Sequence, residues 1–196
     1  QPAKDVRGLW VQRESLASAD RVREMVRDAS RAGINVLLIQ VRGRGEAYYA
    51  SDVEPRARDL LTQAADFDPL RLTIRLAHEA GIEVHAWVNV NLVSSATTLP
   101  ASPNHILRRH PEWLMVPEAL AGTLHDVRPN SRGYVETLAR WSRGASATVE
   151  GLFLSPVHPG ARAHTVAVIE ELVRNYPLDG LHLDYIRYPL DTFDYS

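Results

Sequence analysis

The chain has 196 residues, 45% of them hydrophobic and 23% charged, with 11 glycines and 12 prolines, a balance that belongs to a soluble globular fold and excludes a disordered or fibrous one. A formal net charge of -2, with arginines scattered among acids, gives no basic face for nucleic acid, and the absence of cysteine removes disulfides and thiolate metal centres. No apolar run approaches the roughly 20 residues that span a bilayer, and the N-terminus has no basic-then-apolar leader pattern; the expectation is one domain over residues 1–196, whose start at Gln1 fits an export signal already removed, the reading preferred, about as well as a trimmed N-terminus.

Short apolar runs alternate with amphipathic segments, the pattern of βα units on a parallel sheet. The first run, Val6 to Gln12, precedes a helix from Ser18 to Ala32 with Val22, Met25, Val26 and Ala29 at helical spacing, Ser18 as its cap and Gly33 at its end. The second run, Ile34 to Val41, is almost wholly apolar, as suits a strand covered on both faces. After a polar loop, Asp68 caps a helix with Pro69 at its first position and Gly81 after its last turn, and a third strand runs from Ile82 to Asn89. The stretch from Leu92 to Asn130 is rich in proline and predicts only short helical pieces. Gly133 to Arg143 reads as a helix and Gly151 to Ser155 as a short extra strand. His158-Pro159 opens a last helix with an apolar stripe of Val166, Ile169, Leu172 and Val173, and Asp179-Gly180 turns into the strand Leu181 to Ile186.

Parallel α/β folds bind ligands at the C-terminal ends of their strands, and residues two apart on a strand share a face. At those ends stand Trp10 and Gln12, Gln40 and Arg42, then His85, Trp87 and Asn89, and finally His182 and Asp184. Each has a plainer structural role open to it, as a packed ring or a loop tie. The same apolar-to-polar switch at one end of four strands favours a site. Asp184 is the sharpest member, because a lone carboxylate among Leu181, Leu183, Tyr185 and Ile186 is costly or strongly perturbed; pairing with Arg187 or Arg42 is the structural alternative. His85, His182 and Asp184 also form a weak metal-ligand pattern. Arg42-Gly43-Arg44-Gly45 lacks the Gly-Lys-Ser/Thr ending of a phosphate loop. Glu46 reads as a candidate partner acid or an ordinary loop residue, and Tyr48, Tyr49, Trp113, Tyr185 and Tyr188 as aromatic surface suited to sugar rings or as core. No cofactor is called for.

Five segments carry a family resemblance: Arg7–Val11 (RGLWV), Gln40–Tyr49 (QVRGRGEAYY), Phe67–Leu70 (FDPL), Ala77–Asn89 (AHEAGIEVHAWVN) and Asp179–Pro189 (DGLHLDYIRYP). In this order they resemble glycosyl hydrolase-like 10 proteins. The resemblance implies an α/β fold of the (β/α)8 TIM-barrel type, with about the first four βα units present in this chain. It also implies an exported bacterial enzyme acting on a cell-wall or exopolysaccharide glycan. In related barrel glycosidases the Asp ending strand four is one catalytic carboxylate, a place that Asp184 matches, and its partner comes from a later strand. On this reading Asp184 is nucleophile or acid/base, while Trp10, Gln40, Arg42, Tyr48, His85, Trp87, Asn89, His182, Tyr185 and Arg187 line the sugar site. The rival readings are a glycan-binding module without the second acid, a metal-dependent hydrolase built on His85, His182 and Asp184, and a truncated piece that self-associates through open barrel edges.

Overall fold

The structure, a computed structural model, describes residues 5–194. In chain order the first βα units are β1 (Gly8–Val11), α1 (Ala19–Arg31), β2 (Val36–Arg42), α2 (Pro69–Glu79) and β3 (Glu83–Asn89). Both helices start at the expected caps: Ser18 Oγ accepts from the Arg21 N–H at 3.3 Å and Asp68 Oδ1 from the Arg71 N–H at 2.9 Å. Both end where a left-handed residue is needed, supplied by Gly33 at φ +72° and Gly81 at φ +70°. Val22, Val26 and Ala29 of α1 and Leu70, Ile74 and Ala77 of α2 are buried, in one core with Leu37, Ile39, Val41, Val84, Ala86 and Val88 of the strands. Each such Leu, Ile or Val contributes about 1.5–3 kcal/mol by leaving water.

A Pro-rich excursion follows, with β4 (Leu92–Ser94), α3 (Ile106–Arg109), α4 (Glu118–Leu124), α5 (Arg132–Gly144) and β5 (Leu152–Phe153), before α6 (Pro159–Asn175) and β6 (Gly180–Asp184). The helices before α5 are short, as expected. The extra strand is real but does not join the main sheet: β5 pairs antiparallel with β4, over a second core of Val93, Leu107, Leu114, Leu138 and Leu154. The apolar stripe read on α6 also needs correcting. Of its four members Leu172 is buried and Ile169 half-buried, but Val166 and Val173 are exposed, and Ala161, Val168 and Glu171 complete the buried face. The cause is Glu171, whose carboxylate accepts from Ser51 Oγ at 2.5 Å and from the Asp52 N–H at 2.6 Å, so a polar position turns inward and the outer valines stay in water.

The main sheet is wholly parallel in the order β1-β2-β3-β6. This is a run of four strands of the TIM-barrel type, helices on its outer face. Its inner face carries Trp10, Leu38, Gln40, His85, Trp87, His182 and Asp184 by strand alternation. The upper ring of that face is open to solvent, with Trp10 50% exposed. β1 and β6 are the sheet edges, flanked by exposed Leu9 and Leu183. No helix among the described residues is long and apolar enough to cross a membrane.

Candidate active site at the strand ends

Asp184 is the last residue of β6, in register with Asn89 of β3. Trp87 Nε1 donates to its Oδ2 at 3.0 Å, and the backbone N–H of Tyr185 donates to its Oδ1 at 2.7 Å. The second bond exists because Tyr185 adopts φ 52°, a left-handed conformation that costs a residue with a side chain roughly 1–2 kcal/mol and folds its N–H back onto the preceding carboxylate. One donor on each oxygen fixes the carboxylate plane and leaves a lone pair on each oxygen for another partner. Neither arginine named as a structural partner reaches it: Arg187 bonds Glu150 Oε1 at 2.5 Å and lies over the Tyr185 ring at 5.3 Å, while Arg42 is engaged elsewhere.

Three rings pack edge to face beside Asp184. Trp10 meets Trp87 with centroids 4.8 Å apart and His182 at 4.4 Å, a wall that the exposed face of Trp10 extends toward solvent. His85 lies one layer below, close against Gly180, where a Cβ would stand 2.7 Å from its ring, and 3.7 Å from Glu83 Oε2. His85, His182 and Asp184 do not converge; among the described residues no three His, Asp or Glu side chains are grouped as metal ligands.

Gln40 and Asn89 join the strand ends rather than stand free. Arg13 donates to Gln40 Oε1 at 2.8 Å, Gln40 Nε2 to Asn89 Oδ1 at 3.3 Å, and Asn89 Nδ2 to the Gly43 carbonyl at 2.9 Å. Arg42 departs from the expectation. A β-bulge shifts the β2–β3 register between Gln40 and Arg42, so that Arg42 pairs with Val88, a residue of the helix-facing core, instead of Asn89. Its side chain is 2% exposed and donates to Glu54 Oε1 at 2.8 and 2.5 Å, to the Val90 carbonyl at 3.1 Å and to the Asn89 carbonyl. His164 Nε2 of α6 lies 2.9 Å from the same Glu54 oxygen. Burial alone would raise the Glu54 carboxyl; the Arg42 charge and the His164 contact outweigh it and hold it at about 2. Arg42 therefore braces the end of β3 and does not line the open face.

Tyr48 and Tyr49 are likewise core, 3% and 1% exposed. Burial pushes both phenols far up, and Tyr48 donates to Asp59 Oδ2 at 2.7 Å. Trp113 packs between His110, stacked at 3.8 Å, and His158 in the excursion, and Tyr188 donates to Asp194 at 3.4 Å. Glu46 borders a cavity of about 750 Å³ above β1 and β2, together with Arg13, Arg44, Arg56, Arg58, Asp59, Ser94 and Ser95. Burial raises its carboxyl, opposed by the Arg58 backbone N–H. Sequence reading missed Arg13, Glu54 and His164. The last two sit 110 residues apart and share no local pattern; only the polar residue just after β1 carried a signal.

The sequence profile of the family described as "Glycosyl hydrolase-like 10" matches residues 5–196. The glycosyl hydrolase YngK of Bacillus subtilis (strain 168) is 26% identical over 188 residues, covering 92% of this chain and 31% of that protein. The glycosyl hydrolase DigH of Escherichia coli (strain K12) is 26% identical over 168 residues, covering 79% of this chain and 31% of its own length. The chain thus spans about a third of these relatives. Among solved structures, alpha-L-fucosidase isoenzyme 2 from Paenibacillus thiaminolyticus superposes with a TM-score of 0.59 at 20% identity, over 92% of this chain and 23% of that one, a likeness of fold.

Proposed function

The chain belongs to the glycosyl hydrolase-like 10 family, and from that premise we propose that it supplies half of a glycoside-hydrolase barrel in which Asp184 is a catalytic carboxylate. One observation carries this reading. Asp184 stands at the C-terminal end of a parallel strand, held by donors on both oxygens, beside a solvent-open tryptophan wall. A carboxylate so oriented can attack an anomeric carbon or shuttle a proton at the glycosidic oxygen, and the apolar faces of Trp10 and Trp87 suit the C–H face of a pyranose. His182 packs against the same wall. Cleavage needs a second carboxyl, about 5–5.5 Å away for retention or about 6.5–9.5 Å for inversion; we assign it to a barrel strand following β6 in the full-length protein. The substrate class proposed is a bacterial cell-wall or exopolysaccharide glycan, met outside the cytoplasm.

The test is release of reducing ends from purified cell-wall glycan strands and from exopolysaccharide by the full-length protein, wild type against Asp184→Asn. The expected loss in kcat is on the order of 10²–10⁴-fold, with glycan binding retained. A variant that turns over at the wild-type rate removes Asp184 from the chemistry. Binding with no turnover by either form makes the chain a glycan-binding module.

A further inference from the structure

The cavity above β1 and β2 has an electrostatic character that the proposed cleavage chemistry does not use. Four arginines border it, Arg13, Arg44, Arg56 and Arg58, against two acids, Glu46 and Asp59, in a chain whose net charge is -2. The arginines are not equivalent. Arg56 is engaged by the carbonyls of Leu60, Ala64 and Phe67, and Arg13 by Gln40 and Glu14. Arg44 and Arg58 are exposed and make no side-chain hydrogen bond to any described residue. Two carboxylates against four guanidinium groups leave a surplus of positive charge on the wall; Asp59 also accepts the Tyr48 hydroxyl, and burial raises the Glu46 carboxyl. A concave wall with surplus guanidinium forks focuses positive potential and matches carboxylate geometry.

Its position relative to Asp184 is set by hydrogen bonds already described. Arg13 bonds Gln40 on β2, Gln40 bonds Asn89 on β3, and Asn89 is in register with Asp184 on β6. Gln40 stands two strand spacings, roughly 10 Å, from β6 and links the cavity residue Arg13 to the strand end of Asp184, and the Arg44 charge acts on Tyr185, the neighbour of Asp184. A glycan lying on the tryptophan wall would bring a neighbouring sugar within reach of the arginines.

We propose that this cavity is a subsite for a carboxylate-bearing sugar of the glycan, held by Arg44 and Arg58, so that the protein prefers acidic over neutral saccharides. The proposal rests on the reading that a glycan occupies the strand-end face. It fails separately, because anion binding is measured without any bond cleavage.

The probes are D-glucuronate and D-glucose, which share a ring and differ at C6 by carboxylate against hydroxymethyl, titrated into the full-length protein and followed by calorimetry or by arginine side-chain NMR signals. Glucuronate is expected to bind at least about tenfold more tightly than glucose, and Arg44→Ala/Arg58→Ala to remove that preference. Both residues are exposed, so the variant should keep the wild-type circular dichroism, and Arg75→Ala/Arg174→Ala, two exposed arginines of α2 and α6 outside the cavity, controls for the loss of two positive charges. Equal binding of the two sugars, or a preference unchanged in the double variant, overturns the proposal. So does tighter binding of inorganic phosphate than of glucuronate, which would assign the forks to a phosphoryl group. If Asp184→Asn stays active while glucuronate binds as expected, the catalytic reading fails and the subsite stands.

Discussion

Replacing Glu54 by Gln is the most demanding test of how the strand ends are held. The side chain is fully buried, and one of its oxygens accepts from two Arg42 nitrogens while lying against His164. Gln keeps the shape and removes the charge, leaving the Arg42 guanidinium buried without a counter-ion. A carboxyl held at about 2 in the folded protein against an ordinary 4.5 contributes about 3 kcal/mol at neutral pH. Breaking a buried ion pair by removing one partner costs about 3–5 kcal/mol by an independent route. The two agree, and either is a large part of the roughly 5–15 kcal/mol that keeps a domain folded. The sign follows from the lowered value: the contribution is complete above pH 4.5 and disappears as pH falls through about 2. Urea unfolding followed by tryptophan fluorescence should show the variant about 3 kcal/mol less stable at pH 7, with the gap to wild type narrowing below pH 4.5. Arg42→Met/Glu54→Leu, which replaces both charges by apolar groups, should be less destabilised than Glu54→Gln. A single variant within about 0.5 kcal/mol of wild type at pH 7, or a gap that does not change between pH 7 and pH 2, refutes the reasoning. Because Arg42 donates to the Asn89 and Val90 carbonyls, the same variant should also lower the hydrolysis rate proposed for the full-length protein, by loosening the strand end beside Asp184.

Trp87→Phe keeps the aromatic wall and removes the indole N–H that orients Asp184; kcat/KM should fall about tenfold or more, the worth of one hydrogen bond to a charged group, with little change in melting temperature. A fall in stability with unchanged turnover would make that bond structural. Gly151→Ala would place a methyl group 2.0 Å from the Ser94 carbonyl oxygen across the β4–β5 pair. Backbone cannot yield as a side chain does, so a loss of about 1–3 kcal/mol or more is expected in thermal or urea unfolding, and near-wild-type stability would contradict the β4–β5 packing.

Much of the scaffold was readable because its signals are local. Ser18 and Asp68 cap helices through donors three residues on, Gly33 and Gly81 end them by backbone conformation, and apolar period separates strand from helix within a dozen residues. The polar ends of the strands could be found the same way, since alternation alone puts Trp10, Gln40, Trp87, His182 and Asp184 on one face. The reading failed where parity or periodicity was overridden from a distance. Val166 and Val173 fit a helical stripe, yet the inward face of α6 was chosen by Glu171 reaching a loop 119 and 120 residues away.

What the amino-acid order determined by itself, then, is the βα rhythm, the caps and the set of side chains near the strand ends, because each depends on neighbours within one turn or one pleat. Only the tertiary structure decided which of those side chains face the open side. One bulge after Gln40 sends Arg42 into the helix layer to meet Glu54 and His164, packing buries Tyr48 and Tyr49, and the left-handed turn at Tyr185 sets the Asp184 carboxylate against Trp87. Register and long-range partners are settled by the summed burial and pairing of segments far apart in the chain, information that no local window contains.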